Sequence, residues 1–167
     1  MDFRITHRFP CAPDAWWRAS KHPDFEAAVA RASDVDITPL SSETLHGVRR
    51  SRSRVVPRKE LPALAQKALG SSRFSYVQET EEREGELLLR WKVLPDVMAD
   101  KIACGGTLRV VAAPGGCERV IEGQVSVRVM LVGGTIEKAV VEQLQQGYDR
   151  AAETVKPVLA RLVAEQA

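Results

Sequence analysis

The stretch LVGGTIEKAV, residues 131–140, sets two glycines between an apolar run and a long helical pattern. Phosphate loops occupy that position in nucleotide-binding proteins, where backbone amides and a lysine surround the anion. The residues here point elsewhere. A Walker A loop ends in Gly-Lys-Ser/Thr, whereas GGTIEK puts Lys138 a turn into the helix, behind Glu137. That glutamate competes with any anion for the positive helix end. The dinucleotide fingerprint needs a third glycine and a parallel strand, and neither is present. Gly133 and Gly134 are therefore read as the corner between the last strand and the last helix, with Gly134 or Thr135 as N-cap.

The other reactive residue types are scattered. His7, His22 and His46 form no HxxxH or HExxH pair, and Cys11, Cys104 and Cys117 form no CxxC pair. That spacing predicts no metal site and no disulfide framework, and no cofactor motif accompanies it. A buried cysteine commonly serves as a small hydrophobe. Glu118 and Glu122 share the polar face of one strand and are no acid–base pair for an interior. His7 shares a strand face with Phe3, Ile5 and Phe9, which makes it a candidate polar group turned inward. Tyr76, Gln78 and Tyr148 are the other such candidates. Tyr148 falls on the apolar stripe of the last helix, so its hydroxyl needs a partner or a ligand. Trp16 and Trp17 are adjacent on a short helix, so only one can point inward. Trp91 lies on an apolar strand face. Core packing and the lining of a cavity are both consistent with these rings.

The densest charge is the run Arg49, Arg50, Arg52, Arg54, followed by Arg58 and Lys59. Arg50, Arg52 and Arg54 share one strand face, expected to be the outer one. Glu79, Glu81, Glu82 and Glu84 on a neighbouring hairpin are placed to answer them across strands. The functional alternative is contact with an anionic lipid surface. Aromatic residues do not interleave with the arginines, which disfavours nucleic acid.

The elements that position these residues follow from periodicity. FRITHRF, residues 3–9, alternates as a strand. Pro13 begins a short helix through AWWRAS, and a second helix covers about 24–32, with Asp24 and Glu26 in its first turn. Strands are expected from Val35 and over 44–56, with their boundary near Ser41-Ser42. PRKELPALAQKALG, residues 57–70, reads as an inserted helix carrying Leu61, Leu64, Ala65 and Leu69, with Gly70 as its stop. Four more strands cover 72–80, 86–94, 100–112 and 117–132. In the last, Ile121, Val125, Val127, Val129 and Leu131 share a face. The tail reads as one helix over about 135–164, with Ile136, Val140, Leu144, Tyr148, Ala151, Val155, Leu159 and Leu162 in a stripe. Pro157 is expected to kink or split it.

The chain has 167 residues, 44% hydrophobic and 28% charged, with a formal net charge of +2. That suits one domain, residues 1–167, able to bury a core without metal or disulfide. So small a net charge does not by itself imply a nucleic-acid partner. The segment MDFRITHRF lacks the apolar stretch of a secretory signal, and no window has the apolar length of a membrane span, so a cytoplasmic location is the default. The strands are one-sided and the long helix is amphipathic. The expected fold is therefore α+β, an antiparallel sheet of about six to seven strands curled around the C-terminal helix.

This order of elements, together with FPCAPDAWW after the first strand and HPDF after the first helix, resembles the START-like, or Bet v 1-like, helix-grip superfamily. It is most similar to the DUF2505-type proteins of unknown function. The arginine-rich strand, VRVMLVGG and IEKAV are similar, more distantly, to the PRELI-type phospholipid carriers. The resemblance implies a bent sheet gripping the last helix. Its members include lipid carriers and polyketide cyclases, so fold alone assigns no activity.

With polar residues expected to be scarce on the inner faces, the leading expectation is a binder or carrier of a lipid or other hydrophobic small molecule. The ligand would lie between sheet and helix, lined by His7, Trp16, Tyr76, Trp91, Val127, Leu144 and Tyr148. A cyclase-, dehydratase- or hydrolase-like enzyme on the same fold is the alternative. A protein with a filled core that acts through its surface is the third. A monomer or a weak homodimer is expected.

Overall fold

The computed structural model describes residues 1–167. The elements run β1 (Asp2–Phe9), α1 (Pro13–Ser20), α2 (Pro23–Ser33), β2 (Val35–Leu45), β3 (Val48–Pro57), α3 (Ala63–Leu69), β4 (Tyr76–Arg83), β5 (Leu88–Pro95), β6 (Ile102–Ala113), β7 (Gly116–Val127) and α4 (Gly133–Glu165). The strands form one seven-stranded sheet in the order β1-β7-β6-β5-β4-β3-β2. Every neighbouring pair is antiparallel. Helix α4 packs on β7, β1, α1 and α2. This is the helix-grip arrangement of the α+β class.

Local chemistry sets the element ends. Pro13 and Pro23 start α1 and α2, where a missing N–H costs nothing. His22 caps α2 by accepting from the Asp24 amide, and Gly70 closes α3 in the left-handed conformation. The β2–β3 boundary differs from the sequence expectation. Strand β2 runs past Ser41-Ser42 to Leu45, and the turn is His46-Gly47, both at positive φ. His-Gly takes the place that Asn-Gly usually fills in such a hairpin. A bulge between Pro39 and Ser41 leaves Leu40 unpaired on this edge strand.

The end of β7 is a second correction. The apolar alternation through Val132 suggested a strand to that point, but β7 stops at Val127. Val127 pairs with Ile102, the first residue of β6, so the ladder runs out of partner there. Val129 and Leu131 therefore leave the sheet face. Met130 and Leu131 sit in the turn, 86% and 98% exposed. Helix α4 then begins at Gly133. Glu137 accepts the Val127 amide at 2.8 Å, a bond that holds its carboxyl below the usual range. The first turn of α4 is thus tied to the end of β7.

Pro157 neither splits α4 nor ends it. Residue 157 and Glu153, whose carbonyl loses its donor, both face solvent, while Val155 and Leu159 hold the helix on the core. On α3, Ala65 and Leu69 are buried as expected, but Leu64 is exposed. No helix is long and apolar enough to cross a membrane.

The core falls into two groups. One gathers Phe9, Trp16, Phe25, Val110, Cys117, Val155 and Leu159 around the C-terminal half of α4. The other gathers Ala65, Leu69, Ile102, Val125, Val127 and Ile136 around its first turns and α3.

Candidate functional site

Register decides what lies between the two groups. One row across the concave face runs Phe3, Gly123, Gly106, Trp91, Thr80, Ser51 and Ser42. The glycines are required there. A Cβ on Gly106 would lie 2.0 Å from the Glu122 carbonyl oxygen, and one on Gly123 would lie 2.9 Å from Cζ2 of Trp91. The trough lets the Trp91 indole reach across two strands to Phe3, with ring centroids 6.2 Å apart.

Above this floor, α4 from Val140 to Tyr148 has no fully buried side chain, and Val140, Val141, Leu144 and Tyr148 are half-buried. Phe3, Trp91, Cys104, Tyr76 and Gln78 opposite are half-buried too. Tyr76 and Tyr148 nevertheless lie deep enough for burial to raise both phenol pKa values. Phe3, Cys104, Val140, Val141 and Leu144 also pack against the second core group. Side chains that keep accessible surface on both sides of the layer border a space between α4 and the sheet. Its walls differ in chemistry. Strands β1, β5, β6 and β7 present mostly apolar groups. Strands β2 to β4 present Ser42, Ser51, Ser53, Gln78 and Thr80. Polar residues are therefore not scarce on the inner face, contrary to the sequence expectation; the hydroxyl and amide groups gather on β2 to β4, while His7 and Arg119 lie on β1 and β7.

His7, Tyr76, Trp91, Leu144 and Tyr148 come together around this space. Trp16 and Val127 do not; they sit inside the two packed groups. Trp16 meets Phe9 and Phe25 at 5.6 and 5.7 Å, while Trp17 lies toward the surface under the Lys21 ammonium, 4.5 Å from its ring. Lys21 also pairs with Glu82, tying α1 to β4.

One residue central to the site escaped the sequence reading. Arg119 is the register partner of His7 and is only 3% exposed. Its Nη2 donates to His7 Nδ1 at 2.9 Å, and His7 Nε2 lies 2.7 Å from Asp149 Oδ1. Because Nδ1 accepts, Nε2 carries the proton and donates, so the imidazole is neutral. The guanidinium lies 5.5 Å from Phe9, 5.8 Å from Trp16 and 5.5 Å from Tyr148, over three ring faces. Burial pushes its pKa down to about 10, with Tyr148 and Asp149 opposing. Arg119 Nε and Trp91 Nε1 are buried without a partner. The hydrogen bonds of this region run Arg119–His7–Asp149 and leave both tyrosine hydroxyls out. The signal in the sequence was a lone arginine in phase with Cys117, Ile121, Gly123 and Val125.

His7 gives a pH prediction. Burial holds its pKa below 6.5, outweighing the hydrogen bond to Asp149. As pH falls, the unfolded chain takes up this proton before the folded one. Stability is then full above the unfolded pKa, declines as pH drops below it, and levels off below the folded pKa. We expect the thermal midpoint to fall between about pH 7 and about pH 5, and His7→Gln to flatten that slope. An unchanged slope in the variant would place the titrating group elsewhere.

The remaining reactive groups are subdued. Burial pushes the Cys104 thiol up to about 11 and the Cys117 thiol up to about 12, so neither is a thiolate at neutral pH. No three His, Cys, Asp or Glu side chains converge as a metal site would need. Arg50, Arg52 and Arg54 lie on the convex face and pair with Glu81, Glu79 and Asp96 at 3.1, 3.2 and 2.6 Å. Two clefts open to solvent. One, of about 680 Å³, is lined mainly by charged groups, among them Arg31, Lys59, Asp149 and Glu153. The other, of about 490 Å³, lies along β5 and β6. The first is too polar for an apolar ligand, but Asp149 joins it to the buried chain of His7 and Arg119.

Comparison with solved structures shows the same fold in distant proteins. TTHA0849 from Thermus thermophilus is 16% identical with a TM-score of 0.67, each chain covered in full at 100%. Ara h 8.0201 is 11% identical with a TM-score of 0.63, over 96% of this chain and 98% of that one. CV1439 from Chromobacterium violaceum is 14% identical with a TM-score of 0.58, over 97% and 96%. Curated protein sequences gave no match. Residues 4–159 match the family described as "Protein of unknown function (DUF2505)", and the chain, which has the helix-grip fold, belongs to that family.

Proposed function

We propose that this protein binds a small hydrophobic molecule, a lipid or a compound of similar character, between the concave face of the sheet and α4. The observation that carries this is the divided core. Packed groups cover both ends of α4, while Val140, Leu144 and Tyr148 between them, and Trp91, Cys104 and Tyr76 on the sheet, stay only half-buried. The apolar walls on β1, β5, β6, β7 and α4 hold such a ligand by burial, with the serines, Gln78 and Thr80 gathered on the β2–β4 side. A thiol nucleophile gains no comparable support, since burial holds Cys104 and Cys117 protonated. Contact with an anionic membrane through Arg50, Arg52 and Arg54 is a separate proposal; each guanidinium would have to exchange its carboxylate for a lipid phosphate.

Two measurements test the binding reading. Native mass spectrometry of protein purified from its own cells should show a small-molecule adduct that denaturation releases. Nile red, a neutral dye, should bind saturably to the emptied protein and lose that binding in Leu144→Trp, which fills the space. Failure of Nile red to saturate the wild-type protein would sink the reading.

A further inference from the structure

Arg119 is a buried cation without a direct counter-ion. An arginine this deep is normally paired with a carboxylate, because an uncompensated charge in a low dielectric is costly. The nearest carboxylate, Asp149, stands behind the neutral ring of His7. The three rings offset part of the cost, but Nε still has no acceptor. The Tyr148 hydroxyl cannot serve as the anion, since burial raises its pKa.

The position of this charge is specific. Tyr148, over the guanidinium, is also the C-terminal end of the half-buried stretch of α4. From there the space runs back past Leu144 to Val140, eight residues or about 12 Å of helix. It has a cationic end at Arg119 and Tyr148 and an apolar body over Leu108, Trp91 and Cys104.

Resting on the binding reading above, we infer that the ligand is an amphiphile with a singly charged anionic head, a carboxylate, seated against Arg119, with its apolar chain running along α4 toward Val140. One guanidinium compensates one charge. Its planar donors match the planar carboxylate, and Asp149 and Glu153 on the same helix repel a second negative charge. The Tyr148 hydroxyl donates to the same head.

The test compares decanoate with decanol as competitors of Nile red, at a mildly alkaline pH where decanoate is ionised. Decanoate should displace the dye from wild-type protein at least about tenfold more tightly than decanol, the range of one charge-assisted contact. In Arg119→Met the two should agree within about twofold, while Arg119→Lys should keep part of the preference. Should Arg119→Met not fold, the wild-type protein suffices. The 15N–1H resonance of Arg119 Nε should move with decanoate and stay put with decanol. Equal displacement by acid and alcohol, with the Nε resonance unmoved, overturns the assignment and leaves the apolar site standing. If Nile red itself does not bind, the underlying reading falls instead.

Discussion

Gly133→Ala is expected to destabilise the protein by about 3 kcal/mol or more, the upper end of overpacking costs. Its Cβ would lie 2.2 Å from the Val127 carbonyl oxygen. Neither atom belongs to a side chain that can swing away. The helix start must move off the end of β7, which also strains the bond from the Val127 amide to Glu137. At roughly 2–4 °C per kcal/mol for a chain of this size, the thermal midpoint should drop by at least about 6 °C. Gly134→Ala is the internal control. Nothing lies within 4 Å of its Cβ, and a helical glycine-to-alanine change is worth up to about 1 kcal/mol of stabilisation. Two neighbouring glycines should thus respond with opposite signs. Equal responses in a thermal melt would show that the corner is not held by close approach.

The second large effect separates two tryptophans. Trp16 is 2% exposed and packs against Phe9 and Phe25. Trp16→Ala should cost roughly 3–5 kcal/mol, a large core truncation, and remove one wall around Arg119. Trp91 reaches Phe3 across the glycine trough but borders the internal space, so its loss leaves less of a new void. Trp91→Ala should cost about half as much in stability yet weaken Nile red binding more than Trp16→Ala does, judged among variants that stay folded. Denaturant melts and dye titrations on both proteins would check this. A greater stability loss from Trp91→Ala would mean that the middle of the grip is packed solid.

Periodicity made most of the architecture legible. FRITHRF alternates because β1 is buried on one face only, and the α4 stripe is regular because both core groups use the same helix face. The pairing of Arg50 and Arg52 with Glu81 and Glu79 was legible because β3 and β4 are neighbours in sequence as well as in space. The β7–α4 boundary was not. VRVMLV stays apolar past Val127, and only the length of β6 ends the ladder there. Periodicity reports faces, not whether a partner strand remains. Arg119 was missed for a related reason. A charged residue in phase with apolar neighbours looks like noise until the register sets it beside His7. Asp149 lies off the apolar stripe of α4, but its bond to a strand opposite depends on how the helix crosses the sheet, which no local pattern encodes.

The strand order has a kinetic consequence. Strands β2 to β7 can assemble by successive hairpins, each closing a modest loop. Strand β1 cannot, because its register runs from Asp2 opposite Gln124 to Phe9 opposite Cys117. Loop-closure entropy and contact order make such a pairing a late step. During synthesis the N-terminal strand is made first and must wait, with Ile5 and Phe9 unsheltered, until β7 has emerged. The same late event delivers His7 to Arg119, so the buried cation gains its protein partner only as the sheet is completed.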